Sequence, residues 1–315
     1  VWSLLLALLP ACGSNGGHAV AAIPFGDGGS DAGDGPRMLS PTPTPTSDCP
    51  PEASVIYVTD TSNQLYAYDP VAGSFTQRGR LACAGEPDHM TVDRHGTAWI
   101  SDTVGNLYTA NPTTGECKRF GSWPYAASMS ESFALVFLGL RPDDDATLYM
   151  IDDTDSALAK MDTLTGAITR VTDQLEDVWN DLPGEPPLPI NGYVGGDLTS
   201  TGDGSLYYLL FDYFQGLLTI DPADGFLLGA LETGIHPIPW AQAVPDAAPA
   251  PVMASYNEAL AYYGGLFYDF VGKSVYTIDA NTGAVVNIGV APIYVDGAGT
   301  STCVPASAAP PARLQ

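Results

Sequence analysis

Five times along this chain an alternating apolar strand runs into the same turn. The turns are DPVAG (69–73), NPTTG (111–115), DTLTG (162–166), DPADG (221–225) and DANTG (279–283). All match D/N-x-x-x-G. Asp or Asn caps such a turn through its side chain, Pro arrives with its φ already set, and Gly takes the left-handed position that closes a short hairpin. The strands leading in are LYAY, NLYTA, LAKM, LLTI and VYTI, and those leading out begin at SFTQRG, ECKRF, AITRV, FLLGAL and AVVNIG.

A second strand stands upstream of each: SVIYVTD, TAWISD, TLYMID, SLYYLLF and LFYDF. Before four of these sits a further one: HMTVD, FALVFLGL, GDLTST and EALAYY. Each unit therefore holds four antiparallel strands. Successive turns are 42, 51, 59 and 58 residues apart. Four-strand units at that period are blades of a β-propeller, an all-β fold in which ring closure removes bare sheet edges. A β-sandwich would not repeat one turn formula at blade spacing. The first unit lacks its innermost strand, and the C-terminus has a spare segment, YVDGAGTSTCV. Giving that segment to the first blade closes a ring of five; six blades are the alternative if a long insertion hides a degenerate one.

The cysteines bear on closure. Beyond Cys12 there are Cys49, Cys83, Cys117 and Cys303, and four cysteines in an exported domain allow three pairings into two disulfides. Cys303 ends the donated strand and Cys49 lies just before the next strand of the same blade. A Cys49–Cys303 bridge would replace the turn that this blade lacks, and Cys83–Cys117 follows by exclusion.

The chain begins VWSLLLALLPACGSNGG. The apolar run is too short to span a bilayer but suits a secretory signal. Leu9, Pro10, Ala11 and Cys12 resemble the lipobox of bacterial lipoproteins, with Pro10 a departure from it. In that family the cysteine is lipidated, and Gly13 after it resembles sorting to the outer membrane. Residues 13–48 are a Gly/Ser/Asp-rich and Thr-Pro tether, flexible and then extended, which holds a domain away from a surface. The propeller is expected over 49–305 and a disordered tail over 306–315.

Net charge is −25, with 28 Asp and 8 Glu against only three lysines. That excludes nucleic acid and anionic membrane as partners, because both need basic patches. Membrane association is expected only through the lipid anchor.

The phrase MTVDRHGTAWISD resembles the repeat of NHL-type and gluconolactonase-like propellers. The lipobox, SDCPPE, GDLTSTGDGSLYY and DGAGTSTCVP together resemble uncharacterised β-propeller lipoproteins of Gram-negative bacteria, over residues 48–305. This resemblance implies fold and location and no activity.

Two sets of residues are candidates for function. Connections from an outer strand to the next inner strand are long at 122–131, 171–192 and 232–256, and long loops on a rigid scaffold often carry function. Trp123, Tyr125, Trp179, Tyr193, Trp240 and Tyr256 lie in them or at their edges, a platform for a glycan or peptide. Leu175, Val178, Trp179 and Leu182 fall on one stripe of a short helix that Asp173 and Glu176 would cap and Pro183 would stop. The second set sits at the channel mouth. Counting back seven residues from Gly96, Gly204 and Gly265 gives His89, Asp197 and Glu258, with Glu131 and Asp296 as counterparts. Clustered carboxylates either perturb one another's pKa or hold a cation. No cofactor is expected; calcium is the ion such a mouth would take. Gluconolactonase-like propellers hold a metal with carboxylates and an Asn, matched here only by residue type in Asp197, Glu258 and Asn191 or Asn257. There is no nucleophile elbow, P-loop or HExxH. The reading is a cell-envelope lipoprotein with a ligand- or protein-binding propeller. The alternatives are a metal-dependent lactonase-like hydrolase and a purely structural envelope protein.

Overall fold

The computed structural model describes residues 49–82, 85–122, 133–139, 147–152, 157–172, 196–210, 216–233 and 258–314. Blade 1 takes β1 (Ile56–Asp60), β2 (Gln64–Asp69) and β3 (Ser74–Arg80). Blade 2 holds β4 (Pro87–Val92), β5 (Ala98–Asp102), β6 (Asn106–Ala110) and β7 (Cys117–Ser122). Blade 3 holds β8 (Phe133–Leu138), β9 (Thr147–Asp152), β10 (Leu158–Met161) and β11 (Ile168–Arg170). Blade 4 holds β12 (Gly196–Ser200), β13 (Leu206–Leu210), β14 (Gly216–Ile220) and β15 (Leu227–Glu232). Blade 5 holds β16 (Glu258–Tyr263), β17 (Leu266–Val271), β18 (Ser274–Asp279) and β19 (Val285–Val290). The last strand, β20 (Val295–Gly299), returns to blade 1 and pairs antiparallel with β1, giving the order β20-β1-β2-β3. Among the described residues, then, five four-stranded sheets form a five-bladed propeller whose first blade the C-terminal strand completes.

The turn formula does what its residues dictate. Asp69 Oδ1 accepts from the amides of Val71 and Ala72 at 2.9 and 3.0 Å, and Asp162 and Asp279 make the same pair of bonds. Those amides, from Thr165 and Leu164, hold the exposed Asp162 carboxyl below its ordinary range. The closing glycines sit at φ 62, 75, 72, 81 and 67°, where a Cβ would be strained.

Blades are buried on both faces because alternate residues serve different neighbours. Ile56 and Val58 pack toward blade 5, while Tyr57 between them packs toward blade 2. Leu206, Tyr208 and Leu210 face blade 3, whereas Tyr207 and Leu209 face blade 5. Five apolar clusters result, one at each seam of the ring. At about 1.5–3 kcal/mol per fully buried aliphatic or aromatic side chain, these seams dominate stability. The inner strands close a circle in the order β20, β4, β8, β12, β16 and back to β20. Close approach of β20 to β4 requires Gly299, where a Cβ would stand 2.4 Å from the Met90 carbonyl oxygen.

The Cys49–Cys303 disulfide is present, with a Cα–Cα distance of 5.9 Å. Cys117 is also disulfide-bonded, to a cysteine outside the described residues. The disordered tail expected from residue 306 is corrected. Through residue 314 the chain is laid outward from blade 5 to the seam with blade 1. The Ala308 amide donates to Gly264 O (3.2 Å), Ala312 to Pro70 O (2.9 Å) and Leu314 to Ile288 O (2.7 Å). Its Pro/Ala composition reads as disorder, but blades 5 and 1 supply acceptors for its amides and apolar surface for Leu314. Among the described residues no helix is long and apolar enough to cross a membrane.

Candidate functional site

The inner strands begin at one end of the channel. Register fixes this end: Pro87 pairs with Asp102, Gly196 with Leu210, Glu258 with Val271 and Val295 with Asp60. The connections from β7 to β8, β11 to β12 and β15 to β16 therefore enter the ring here. So do the turns that follow Asp60 and Asp102. Each of these aspartates builds its own turn. Asp60 Oδ1 takes the amides of Ser62 and Gln64 at 2.9 Å, and Asp102 takes those of Val104 and Asn106 and the Tyr108 hydroxyl.

Four of the expected channel-mouth residues stand at this end, all buried: His89 on β4, Asp197 on β12, Glu258 on β16 and Asp296 on β20. Two of them meet. His89 Nδ1 lies 3.0 Å from Asp197 Oδ1, a contact between blades 2 and 4 that spans the channel. Asp197 Oδ1 also accepts from its neighbouring Leu198 amide at 2.9 Å, and Oδ2 accepts from the Leu260 amide of blade 5 at 2.7 Å. One carboxylate thus ties three blades together. Burial pushes the Asp197 carboxyl up, while His89 and the Leu260 and Leu198 amides pull it down. His89 Nε2 faces Asp88 Oδ2 at 3.5 Å. At the other end hydroxyls do similar work. Thr91 donates to Thr300 O and accepts from the Phe137 amide, and Ser200 donates to Phe137 O at 2.6 Å.

Asp296 stands at the same end, on β20. Burial, with the charges of Asp88, Glu86 and Asp60, pushes its carboxyl up to about 7. A carboxyl held above its unfolded value near 4 stabilises the fold while protonated, and that contribution is lost as pH rises through about 7. Asp296→Asn should therefore remove a fall in stability between about pH 4 and 7 and raise the midpoint at pH 7.5. Urea melts of both proteins across that range check this; parallel profiles would contradict it.

The arrangement of Asp197 is that of a structural clasp, with both oxygens committed to the fold. Among the described residues no group of three His, Cys, Asp or Glu side chains has the geometry to hold a metal ion. The lactonase-like reading rested on Asp197 and Glu258 as ligands, and Asp197 is already engaged. His95 lies in the 93–97 hairpin turn, its amide bonded to Asp93. Trp123, Tyr125, Trp179, Tyr193, Trp240, Tyr256, Glu131, Cys12 and Cys83 lie outside the described residues, as do the tether, Asn191, Asn257 and the 173–183 helix. Sequence reasoning missed Asp60, Glu86 and Asp88 as the charges acting on Asp296. The signal for Asp60 and Asp102 was present in the paired phrases VTDTSNQLY and ISDTVGNLY.

No protein-family profile matches the chain, and no curated protein matches it. Among solved structures it is similar to one in a crystal of a nidogen/laminin complex, at 16% identity over 80% of this chain and 81% of that one, TM-score 0.44. A Bacteroides thetaiotaomicron protein of unknown function is 14% identical over 76% of this chain, TM-score 0.45. BamB from Moraxella catarrhalis is 11% identical over 76%, TM-score 0.36. The chain spans 59% of the length of each of the latter two.

Proposed function

We infer that the protein is a cell-envelope lipoprotein whose propeller is a binding module, working from the face at which the inner strands begin. The observation that carries this reading is the clasp. Asp197 is spent on holding blades 2, 4 and 5 together through His89 and the Leu260 amide, which makes this end a rigid platform. The longest connections of the chain enter the ring at that same end. Their aromatic residues suit a glycan, a peptide or an envelope protein, since Trp and Tyr offer large amphipathic surface at low entropic cost. Lipidation at Cys12 and the 13–48 tether would hold the module off the outer membrane, on its periplasmic or outer side.

Replacing Trp179 and Trp240 together by alanine should abolish binding on arrays of glycans and envelope proteins, by at least tenfold in Kd, with an unchanged melting temperature. Unaltered binding by the double variant would remove these residues from the site. Absence of any ligand for the wild-type protein on either array would favour a purely structural role.

A further inference from the structure

Two neighbouring inner strands are bulged at the channel mouth. On β4, Asp88 and His89 together stand opposite Ser101 of β5, between the pairs Pro87–Asp102 and Met90–Ile100. On β20, Asp296 is the extra residue between Val295, opposite Asp60, and Gly297, opposite Thr59. Strands β8, β12 and β16 keep an unbroken register. A bulge bends its strand and re-aims the side chains on it. The two bulges also meet, since a Cβ on Gly297 would stand 2.6 Å from the Asp88 carbonyl oxygen. They bring Asp88, His89 and Asp296 to one part of the ring, the joint where the C-terminal strand lies beside blade 2.

His89 is placed between two carboxylates. Its Nδ1 is 3.0 Å from Asp197 Oδ1 and its Nε2 3.5 Å from Asp88 Oδ2. A carboxylate only accepts, so both ring nitrogens are set to donate, which the doubly protonated ring alone can do. Asp197 is fitted for its charge from its other sides as well, for Oδ1 also accepts from the Leu198 amide and Oδ2 from the Leu260 amide. Burial by itself would strip the second proton from the imidazole. Doing so here would leave the fully buried Asp197 charge uncompensated, which is the more costly outcome. The charged groups on the described strands packed about β4 at this end are all acids: Asp296 on β20, Glu258 on β16, and Asp60 and Asp102 closing β1 and β5, with Glu86 just ahead of β4 itself. Strand β8 carries none. Each of these charges favours the cation on His89.

We propose that the channel mouth is an acid-tightened clasp: His89 is held as an imidazolium between Asp197 and Asp88, and the joint of β20 with β4 loosens as that proton leaves with rising pH. Linkage fixes the sign. A histidine whose second proton the fold holds more tightly than the unfolded chain does contributes stability that is whole below about pH 6.5 and is lost as pH rises through the folded value. The Asp296 carboxyl, pushed up to about 7 by burial and by Asp88, Glu86 and Asp60, loses its contribution in the same direction. Asp88 acts on both protons, on His89 across 3.5 Å and on Asp296 from the adjoining strand.

Nitrogen-15 NMR of the labelled protein reads the ring directly. The chain has only four histidines, and His89→Gln identifies the signals of His89. At about pH 7.5 an ordinary histidine, with a pKa of about 6.5, is about nine-tenths neutral. His89 should there show the matched nitrogen shifts of an imidazolium. Asp88→Asn alters a side chain that is 30% exposed, so it should fold normally while His89 loses its second proton at lower pH than in the wild type. The wild-type melting temperature should fall between roughly pH 6 and 8.5, and the fall should be shallower in Asp88→Asn. A neutral His89 ring at about pH 7.5 would overturn the proposal. So would a wild-type melting temperature that holds or rises over that interval, or a His89 titration unmoved by Asp88→Asn. None of these readouts depends on Trp179 or Trp240, so the binding-face reading stands or falls separately.

Discussion

Asp197→Ala should cost about 3–5 kcal/mol of folding stability, the range for removing one partner of a buried charged pair. The loss exceeds that of a single hydrogen bond because three donors are stranded at once: His89 Nδ1 from blade 2, the Leu260 amide from blade 5 and the Leu198 amide of its own strand. Each lies in a site water does not reach, since Asp197 itself has no exposed surface, so each keeps its desolvation cost without a bond to offset it. For a domain of this size the midpoint should fall by roughly 10 °C. Asp197→Asn keeps an acceptor for the two amides and should recover part of the loss. Thermal melts of the three proteins decide this. A midpoint for Asp197→Ala within a degree or two of wild type would mean that the clasp contributes nothing to the ring.

Loss of the Cys49–Cys303 disulfide should be of similar size, through the unfolded state. The bridge joins residues 254 apart in sequence, and the chain-entropy model assigns about 5 kcal/mol to so long a loop, an upper figure. It also has a native role. Blade 1 is the only blade whose inner strand arrives from the other end of the chain, so nothing else covalent joins β20 to β1. Other ties there include bonds from Ser301 Oγ to Ala53 O, from Ser54 Oγ to Cys303 O and from Thr59 Oγ1 to Gly297 O, together with the β20–β1 ladder. Cys49→Ser/Cys303→Ser should therefore melt well below wild type and open first at blade 1, with early hydrogen exchange in β20 and β1. Uniform exchange across all five blades in that variant would contradict this.

Much of the fold was legible because a repeat is local chemistry stated several times. The Asp or Asn, Pro and Gly of each outer turn fix a hairpin without reference to the rest of the chain, so five copies number the blades. The strand missing from the first unit and the spare one at the end then imply closure, and Cys49 with Cys303 marks the joint. The candidate site was legible only in part. Spacing from Gly96 and Gly204 put His89 and Asp197 at one end of the channel, but not in contact, since their meeting depends on how the closed ring brings residues 108 apart across its axis. The rise in the Asp296 pKa also depends on the ring, because Asp60, Glu86 and Asp88 reach it from neighbouring strands. The tail defeated compositional reading for a related reason. APPARL has little structure of its own, and its order comes from the seam that receives it.

On the proposed function, the outer hairpin turns are scaffold and the face at the other end of the ring meets the partner. Photo-crosslinking in the native host tests it most directly. A photoreactive residue is placed at the exposed Thr61 or Val104, in the turns beside the inner-strand starts, and separately at the exposed Val71 or Asn281, in the D-x-x-x-G turns. Discrete covalent adducts are expected from Thr61 or Val104 and none from Val71 or Asn281. Adducts from the hairpin turns alone would contradict it.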